Sequence, residues 1–296
     1  MSSSNCDYRG MHASTWDVWR DDTANWSDRH FFLDIIREFG QPVLDVGCGT
    51  GRLTLDYLAE GIDIDGIDNS PEMLAICRAK AGRNGLSPTL YQQSIEELNL
   101  PRKYRTILAP SSVIQLISQP HAIRAAMNRI VSHLDPGGAL VGSFAFEWRA
   151  GDPIDTGWQL LFEKRRPDDD AIVRSWTREW HEPEHQLWHA EQRFEIELNG
   201  KITHTEHQRR SPEGRWYTQP QALELYRAAG LADLRLFHEF TRDPSSPGDR
   251  LFCALGVKPL MRQITTRRTG DDATSPSPGR SGPIRRLALR NTGRRA

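Results

Sequence analysis

The sequence predicts an α/β protein built on a doubly wound parallel sheet, with an antiparallel sheet inserted late in the chain. Short apolar runs alternate with helix-like periods through the first half, a pattern typical of parallel strands covered by helices. A glycine-rich turn follows the first predicted strand directly. After about residue 150 this alternation gives way to consecutive strand-like segments, which predict the inserted sheet.

The first half supplies five predicted strands and three predicted helices. Apolar residues after the glycine turn predict one helix, and Ser70 followed by Pro71 predicts the start of the next, because serine caps helices and proline suits the first helical position. Gly82 is expected to end that helix. Apolar spacing predicts a third helix over Ile123–Leu134, ended by the Asp135–Gly138 turn. The predicted strands are Pro42–Val46, Ile62–Ile67, Thr89–Gln92, Tyr104–Ala109 and Ala139–Phe146.

The second half predicts the inserted sheet and a return to the first one. Asn199-Gly200 is typical of a hairpin turn between two of the inserted strands. Those strands are predicted at Ile172–Trp180, Leu187–Leu198 and Ile202–Arg209. The chain then returns through a helix and two strands, predicted at Gln219–Ala229, Leu234–Phe240 and Leu251–Val257.

Three histidines in the inserted sheet have a spacing that suggests a metal site on a helix. His181, His185 and His189 are four residues apart. Pro183 and the strand pattern argue against a helix there, so the three rings are not expected to share one face. No metal site is therefore predicted.

Composition limits the class of protein. The chain has 296 residues, 38% of them hydrophobic and 26% charged, as in globular proteins. No apolar stretch reaches the roughly 20 residues of a membrane span, and the N-terminus lacks the apolar core of a signal peptide. Four cysteines show neither zinc-site nor disulfide spacing, which fits a reducing compartment. We therefore expect a cytoplasmic protein without a membrane partner.

The C-terminal residues differ in charge from the rest of the chain. Residues 262–296 hold nine arginines and two aspartates, a charge of +7, so the remaining body carries −8 within the chain total of −1. The segment 261–296 is also rich in Ser, Pro, Gly and Thr and is expected to be disordered. Such a tail either contacts nucleic acid or remains a solvated extension.

A glycine motif and an acidic residue predict a nucleoside ligand. Residues 42–53 read PVLDVGCGTGRL, and glycine at such a turn lets a ligand approach the main chain and the amides of the next helix. Asp68 ends the second strand, 21 positions after Gly47, where a carboxylate can accept hydrogen bonds from ribose hydroxyls. The dinucleotide motif is absent, because its last glycine position is occupied by Arg52.

These residues resemble the class I S-adenosylmethionine-dependent methyltransferases that act on small molecules. The resemblance extends over about residues 30–148 and returns weakly at 223–230 and the two strands beyond. It implies a doubly wound Rossmann-like methyltransferase sheet with an inserted antiparallel β-sheet lid, and S-adenosyl-L-methionine as cofactor. The phrases that carry it are VLDVGCGTGRL, GIDNSPEML, YQQSIEEL and HLDPGGAL.

The resemblance also implies a division of the chain into four parts. Residues 1–29 are an N-terminal segment and a candidate cofactor cap. The cofactor-binding methyltransferase domain comprises 30–151 and 217–260. Residues 152–216 form the inserted lid, and 261–296 the basic tail.

Candidate cofactor residues follow from the resemblance. Asp45 and the backbone of the first two motif glycines would lie beside the methionine part. Asp68 would take the ribose, and Asn69 would flank the adenine. Ser94 stands where many relatives have an aspartate for the adenine amino group, and its oxygen can accept one hydrogen bond. The predicted set is Asp45, Gly47, Cys48, Gly49, Asp68, Asn69, Ser94, Ile95 and Pro110.

The chemistry implied by this cofactor demands little of the protein. Methyl transfer needs the nucleophile aligned with the sulfonium at near-contact distance, and a base only if the acceptor must lose a proton. No catalytic residue is assigned and no metal is required. The residues at 109–112 lack the Asn/Asp-Pro-Pro-Tyr box of enzymes that methylate planar amino groups. Candidate substrate contacts are Ser111, Ser112, Gln115, Glu147, Trp148, Trp216 and Tyr217.

Two functions remain open at this point. The first is an enzyme that transfers a methyl group to a small-molecule acceptor by in-line displacement beneath the lid. The second is an RNA- or protein-directed methyltransferase, or a nucleic-acid-binding protein that uses the basic tail. The acidic body favours the first, because nucleic-acid binding needs a basic face. The acceptor, the atom methylated and the oligomeric state do not follow from the sequence.

Overall fold

The computed structural model describes residues 8–20, 26–145 and 148–260. The expectations for Glu147 and for the tail at 261–296 lie outside these residues. The helices are α1 (Gly10–Ser14), α2 (Trp16–Trp19), α3 (Ser27–Phe39), α4 (Arg52–Ala59), α5 (Pro71–Arg83), α6 (Pro120–Ser132) and α7 (Gln219–Ala228). The strands are β1 (Val43–Val46), β2 (Ile64–Asp68), β3 (Thr89–Gln92), β4 (Tyr104–Ala109), β5 (Leu134–Phe144), β6 (Gln159–Arg165), β7 (Ile172–Glu182), β8 (Leu187–Leu198), β9 (Lys201–Arg215), β10 (Ala232–His238) and β11 (Phe252–Val257).

Seven strands form the main sheet in the order β10-β11-β5-β4-β1-β2-β3. The strands from β5 to β3 pair in parallel, whereas β11 pairs antiparallel with both β5 and β10. This confirms the predicted doubly wound sheet with its closing hairpin. Since β1, β2 and β4 run in the same direction, the residues that follow them meet at one edge, where such sheets bind ligands.

Helices cover both faces of this sheet. This explains why every residue of β1 except Asp45 is apolar. On one face, Ile130 of α6 and Tyr226 of α7 belong to a buried cluster. On the other face, Phe32 of α3 and Tyr57 of α4 belong to a second cluster. Burying each large apolar side chain contributes roughly 1.5–3 kcal/mol, so the two faces together hold the sheet in place.

The inserted sheet has four strands in the order β6-β7-β8-β9. The prediction of three strands was wrong, because β6 is an edge strand in which three apolar residues are followed by three charged ones, so it lacks the alternation that marks a strand. Strand β9 also runs past the predicted end to Arg215; Pro212 is tolerated because β9 is an edge strand that needs no donor on its outer side. The hairpin turn is confirmed, with φ of 53° at Asn199 and 75° at Gly200.

Two predicted boundaries in the main domain were also wrong. Strand β5 begins at Leu134, so the expected Asp135–Gly138 turn is a bulged part of the strand. Its backbone is held by β11, since the Gly137 N–H donates to the Lys258 carbonyl oxygen at 2.7 Å. Helix α5 continues through Gly82 to Arg83, while its predicted start is confirmed by a hydrogen bond from the Met73 N–H to Ser70 Oγ at 3.2 Å.

Within the described part of the chain, none of the helices is long and apolar enough to cross a membrane.

Candidate active site

The turn after β1 requires its glycines for two different reasons. Gly47, Gly49 and Gly51 have φ of 71°, 55° and 85°, in the left-handed region that favours glycine. A Cβ atom on Gly47 would lie 2.5 Å from Val113 Cγ2, and one on Gly51 would lie 2.5 Å from Cys77 Sγ. Around Gly49 no described atom lies within 4 Å of that position. The middle glycine therefore borders space that a ligand can enter.

Asp68 at the end of β2 stabilises this turn. Its Oδ2 accepts a hydrogen bond from the Gly49 N–H at 2.9 Å, and its Oδ1 accepts one from the Ser70 N–H at 2.8 Å. Burial raises the pKa of Asp68, while these backbone donors act in the opposite direction. The Asn69 backbone also donates to this carboxylate, which leaves about one of its four lone-pair sites to accept a hydrogen bond from a hydroxyl group.

Asp45 in β1 has one satisfied and one unsatisfied oxygen. Its Oδ2 accepts a hydrogen bond from Thr54 Oγ1 at 2.7 Å, whereas the buried Oδ1 has no hydrogen-bond partner among the described residues. Burial raises the pKa of Asp45 to about 6. An unsatisfied buried polar group costs roughly 1–3 kcal/mol, so a ligand N–H at Oδ1 would be favourable.

The N-terminal segment contributes a buried cation, Arg20, that was not among the residues predicted from the sequence. Arg20 Nε is buried without a hydrogen-bond partner in the described ranges. Burial, followed by the positive charge of Arg52, lowers the pKa of Arg20 to about 10, so the group is still charged at neutral pH. The sequence feature that could have indicated Arg20 is the presence of three tryptophans within ten residues of it. The Arg20 Cζ lies 4.3, 4.7 and 4.9 Å from the ring centroids of Trp16, Trp19 and Trp26, respectively.

Backbone and side-chain hydrogen bonds hold the N-terminal segment over the edge of the main sheet. Ser70 Oγ donates to the Tyr8 carbonyl oxygen at 2.5 Å, and the Gly10 N–H donates to Glu72 Oε2 at 2.6 Å. Thr50 Oγ1, next to Gly49, donates to Asp17 Oδ1 at 2.6 Å. The segment therefore covers the glycine turn and the start of α5.

The same segment also contacts the inserted sheet. The Met11 N–H donates to Glu206 Oε2 of β9 at 2.9 Å. Lys164 Nζ of β6 donates to the Trp19 carbonyl oxygen at 2.9 Å. Residues 8–20 thus lie between the carboxyl edge of the main sheet and one face of the inserted sheet.

The remaining predicted cofactor residues follow β1, β2, β3 and β4 along this edge. Cys48 is 6% exposed, and its N–H donates to the Ile67 carbonyl oxygen at 2.9 Å. Ile95 belongs to the buried cluster beneath α6, and Ser94 before it is partly buried. Pro110 follows β4 and accepts the Val113 N–H at 3.1 Å.

Among the predicted substrate contacts, Gln115 is fully buried between the two sheets. Its Nε2 donates to the Ala145 carbonyl oxygen at 2.8 Å and to that of Arg215 at 3.3 Å. Its Oε1 accepts the Ala145 N–H at 2.7 Å. Gln115 therefore fastens the end of β9 to the end of β5. Ser111 and Ser112 shape the turn before it, with φ of 51° and 58°.

The predicted aromatic contacts occupy different environments. Trp216 is 3% exposed, and its ring centroid lies 5.8 Å from that of His181. Tyr217 has a buried hydroxyl with no hydrogen-bond partner in the part of the chain that the structure describes, and burial raises its pKa to about 12. Trp148 Nε1 donates to the Pro153 carbonyl oxygen at 3.2 Å. Their contact with a substrate stays a prediction.

Comparison with known proteins relates this geometry to a family. Residues 43–138 match the family model described as "Methyltransferase domain". The dTDP-3-amino-3,4,6-trideoxy-alpha-D-glucopyranose N,N-dimethyltransferase of Streptomyces venezuelae is 26% identical over 175 residues, 56% of this chain and 69% of that protein. The ubiquinone biosynthesis O-methyltransferase of Photorhabdus laumondii subsp. laumondii is 32% identical over 102 residues, 34% of this chain and 41% of that protein. This chain spans about half the length of the curated relatives that it matches.

A solved structure shows the same fold. The S-adenosylmethionine-dependent methyltransferase from Clostridium acetobutylicum ATCC 824 has a TM-score of 0.67 and 19% sequence identity, over 83% of this chain and 96% of that one. The similarity extends well beyond the family match, which ends in β5. Residues 43–138 are therefore a methyltransferase domain, and the chain has the fold of the class I S-adenosylmethionine-dependent methyltransferases.

Proposed function

We propose that this protein is an enzyme that transfers a methyl group from S-adenosyl-L-methionine to a small-molecule acceptor by in-line displacement. One observation carries the proposal: Asp45 Oδ1 and Arg20 Nε are buried, belong to groups of opposite charge, and have no hydrogen-bond partner among the described residues. Arg52 is an electrostatic neighbour of both groups, and it shares the Trp26 ring with Arg20. An amino-acid group, with one ammonium and one carboxylate, complements this pair.

The residues of the edge divide the cofactor between them. Asp45 would accept from the ammonium group, and Arg20 would donate to the carboxylate. Asp68 would accept from a ribose hydroxyl, since three backbone donors leave about one of its four lone-pair sites free. The adenine would lie against a set of residues after β2, β3 and β4, namely Asn69, Ser94, Ile95 and Pro110. When bound, the cofactor supplies an electrophilic methyl group on a sulfonium.

The acceptor would bind between the main domain, the cap at 1–29 and the lid at 152–216. A site closed on two sides limits entry to small ligands and holds the nucleophile in line with the methyl group. The names of the matched relatives specify a sugar nucleotide and ubiquinone biosynthesis, which supports a small-molecule acceptor over RNA or protein. A cytoplasmic location belongs to this proposal; Cys48, Cys77 and Cys253 are free thiols.

Calorimetric titration with S-adenosyl-L-methionine and S-adenosyl-L-homocysteine tests the cofactor assignment. We expect one site per chain, with affinity reduced by roughly tenfold or more in Asp45→Asn and in Arg20→Met, the scale of one lost hydrogen bond to a charged group. Asp34→Asn is a matched control, because Asp34 is 54% exposed in a surface ion pair with Arg37. Absence of binding to the folded wild-type protein would refute the proposed function.

A further inference from the structure

The inner face of the inserted sheet contains a recess at Ala190. In the strand register, Glu179 of β7 lies opposite Ala190 of β8, which lies opposite Arg210 of β9. Residues directly opposite each other in a sheet point to the same face, with Cβ atoms about 4.5–5.5 Å apart. Two long side chains therefore flank one methyl group. Since Ala190 is only 2% exposed, this recess lies inside the molecule.

The recess contains a carboxylate without a partner. Arg210 is committed to Glu213, to which its Nε donates at 3.0 Å and its Nη2 at 2.9 Å. The Glu179 carboxylate makes no hydrogen bond or ion pair with the described residues. Burial, followed by the charge of Glu213, raises the pKa of Glu179. Glu179 is acted on by one further carboxylate, Glu213, and by one guanidinium, Arg210, while the Arg20 guanidinium acts on His12 and Tyr8 beside the recess.

A buried histidine provides a second unpartnered group. His12 of α1 is 5% exposed, and its Nδ1 lies 3.1 Å from Arg210 Nη1. Arginine can only donate, so Nδ1 accepts and the proton is on Nε2. That Nε2–H has no hydrogen-bond partner within the described ranges. Burial lowers the pKa of His12 to about 3, so the ring is neutral and adds no charge to the recess.

The recess adjoins the proposed cofactor site through Tyr8. The Tyr8 ring centroid lies 4.6 Å from that of His12, and the Tyr8 carbonyl oxygen accepts a hydrogen bond from Ser70, two residues after Asp68. The phenol is an electrostatic neighbour of both Glu213 and Asp68. A ligand at Glu179 would therefore lie on the lid side of Tyr8, facing the edge where the cofactor is placed.

We propose that Glu179 binds the amino group of the methyl acceptor, so that the acceptor is a small amine and the enzyme an N-methyltransferase. This inference rests on the function proposed above and names its substrate class. The ammonium form of the amine pairs with the Glu179 carboxylate, and the His12 Nε2–H donates to a hydroxyl or carbonyl oxygen of the same molecule. A neutral alcohol would leave Glu179 ionised and without an ion-pair partner in the recess, so it would bind less tightly than the amine.

The proton balance gives Glu179 a second role. The bound ammonium transfers one proton to the Glu179 carboxylate, which leaves a neutral amine with a free lone pair. That lone pair forms the N–C bond to the methyl group while the C–S bond breaks and its electrons remain on sulfur. The positive charge thus moves from sulfur to the methylated nitrogen, and the proton on Glu179 passes to solvent.

Binding of a simple probe pair tests the site directly. Protein labelled with ¹³C at glutamate Cδ would be titrated with benzylamine and with benzyl alcohol, in the presence of S-adenosyl-L-homocysteine. Benzylamine should shift one carboxyl resonance that is absent in Glu179→Gln, and benzyl alcohol should leave it unchanged. An equal response to the two probes, or no response to benzylamine, would overturn the proposal. Binding of S-adenosyl-L-homocysteine in the same samples would still test the proposed function separately.

Methyl transfer provides the second test. Methyl-labelled cofactor would be incubated with the enzyme and a small-molecule extract. The extract would be used in two forms, one untreated and one in which the amines have been acetylated and the acetylating reagent quenched. Acetylation should abolish incorporation, and Glu179→Gln should lower it at least tenfold without changing the Kd for the cofactor. Glu184→Gln, an exposed lid carboxylate, should behave as wild type. Incorporation that survives acetylation would assign the acceptor to oxygen or carbon instead.

Discussion

Asp68 Oδ2 accepts a hydrogen bond from the Gly49 N–H at 2.9 Å, which joins the end of β2 to the glycine turn after β1. The same carboxylate also accepts the Ser70 N–H at the start of α5. One side chain therefore fixes the three backbone segments that would surround the ribose. Asp68 therefore has a structural role in the turn, beside its proposed role in binding the ribose.

Asp68→Ala should weaken S-adenosyl-L-methionine binding by about 10- to 150-fold, the equivalent of 1.5–3 kcal/mol for hydrogen bonds to a charged group. Titration calorimetry measures this directly. Asp63→Ala is the control, because Asp63 lies just before β2 at its opposite end, in a surface ion pair with Arg102. Equal affinities of the two variants would place the ribose elsewhere.

Cofactor affinity should rise as the pH increases through about 6. The pKa of Asp45 is raised to about 6 by burial, against the lowering effect of Thr54 and Arg52, and only the ionised form pairs with an ammonium group. Affinity measured by calorimetry between pH 5 and 8 should follow this titration, and Asp45→Asn should flatten the profile. A wild-type profile without this step would argue against Asp45 as the ammonium partner.

The same carboxyl group should affect stability with the opposite sign. Because its folded-state pKa lies above the ordinary value of 3.8, the folded protein binds more protons than the unfolded chain between about pH 4 and 6. The contribution of Asp45 to stability therefore falls as the pH rises through this window. Urea unfolding of wild type and Asp45→Asn at pH 4.5 and 7 measures the difference.

Gly51→Ala should destabilise the protein more than Gly61→Ala. Both glycines have φ above 80°, so each alanine pays for the left-handed backbone, about 1–2 kcal/mol. Only at Gly51 would the new Cβ also overlap Cys77 Sγ at 2.5 Å and Leu55 Cγ at 2.8 Å, which adds roughly 1–3 kcal/mol. Equal unfolding free energies in urea would show that the turn can relax around the added atom.

Gln115→Leu should loosen the attachment of the lid. It leaves the partly buried Ala145 N–H and carbonyl oxygen without their partner, at a cost of about 1–3 kcal/mol. Gln93→Leu is a matched control, since Gln93 makes the same pair of bonds to Asn99 at an exposed site and should cost much less. Hydrogen exchange in β9 should accelerate only in the Gln115 variant. Unchanged exchange there would mean that Gln115 is not the fastening residue.

The parts of the fold that the sequence predicted depend on local signals. The run from Val43 to Val46, the glycines after it and the Ser70-Pro71 cap each specify their structure within a few residues. Strand β6 was not predicted, because its extended conformation depends on pairing with β7 and on long-range contacts. One of these joins Lys164 to Trp19, 145 residues away in the chain.

The candidate site divides in the same way. Asp45 and Asp68 could be identified from their positions at the ends of apolar strands. Arg20 and Glu179 were not identified, because what marks them is the lack of a partner among the described residues: Arg20 Nε has none among the tryptophan rings, and Glu179 lies opposite an alanine. The lack of these partners can be recognised only from the packing of residues 8–20 between the two sheets.

The most direct test of the central claim follows the methyl group itself. The purified protein would be incubated with methyl-labelled S-adenosyl-L-methionine and a whole-cell extract, which is then separated into small-molecule, RNA and protein fractions. We expect label in the small-molecule fraction with the wild type, and at least tenfold less with Asp68→Ala at a subsaturating cofactor concentration. Label found in RNA or protein, or equal label with the two enzymes, would contradict the account.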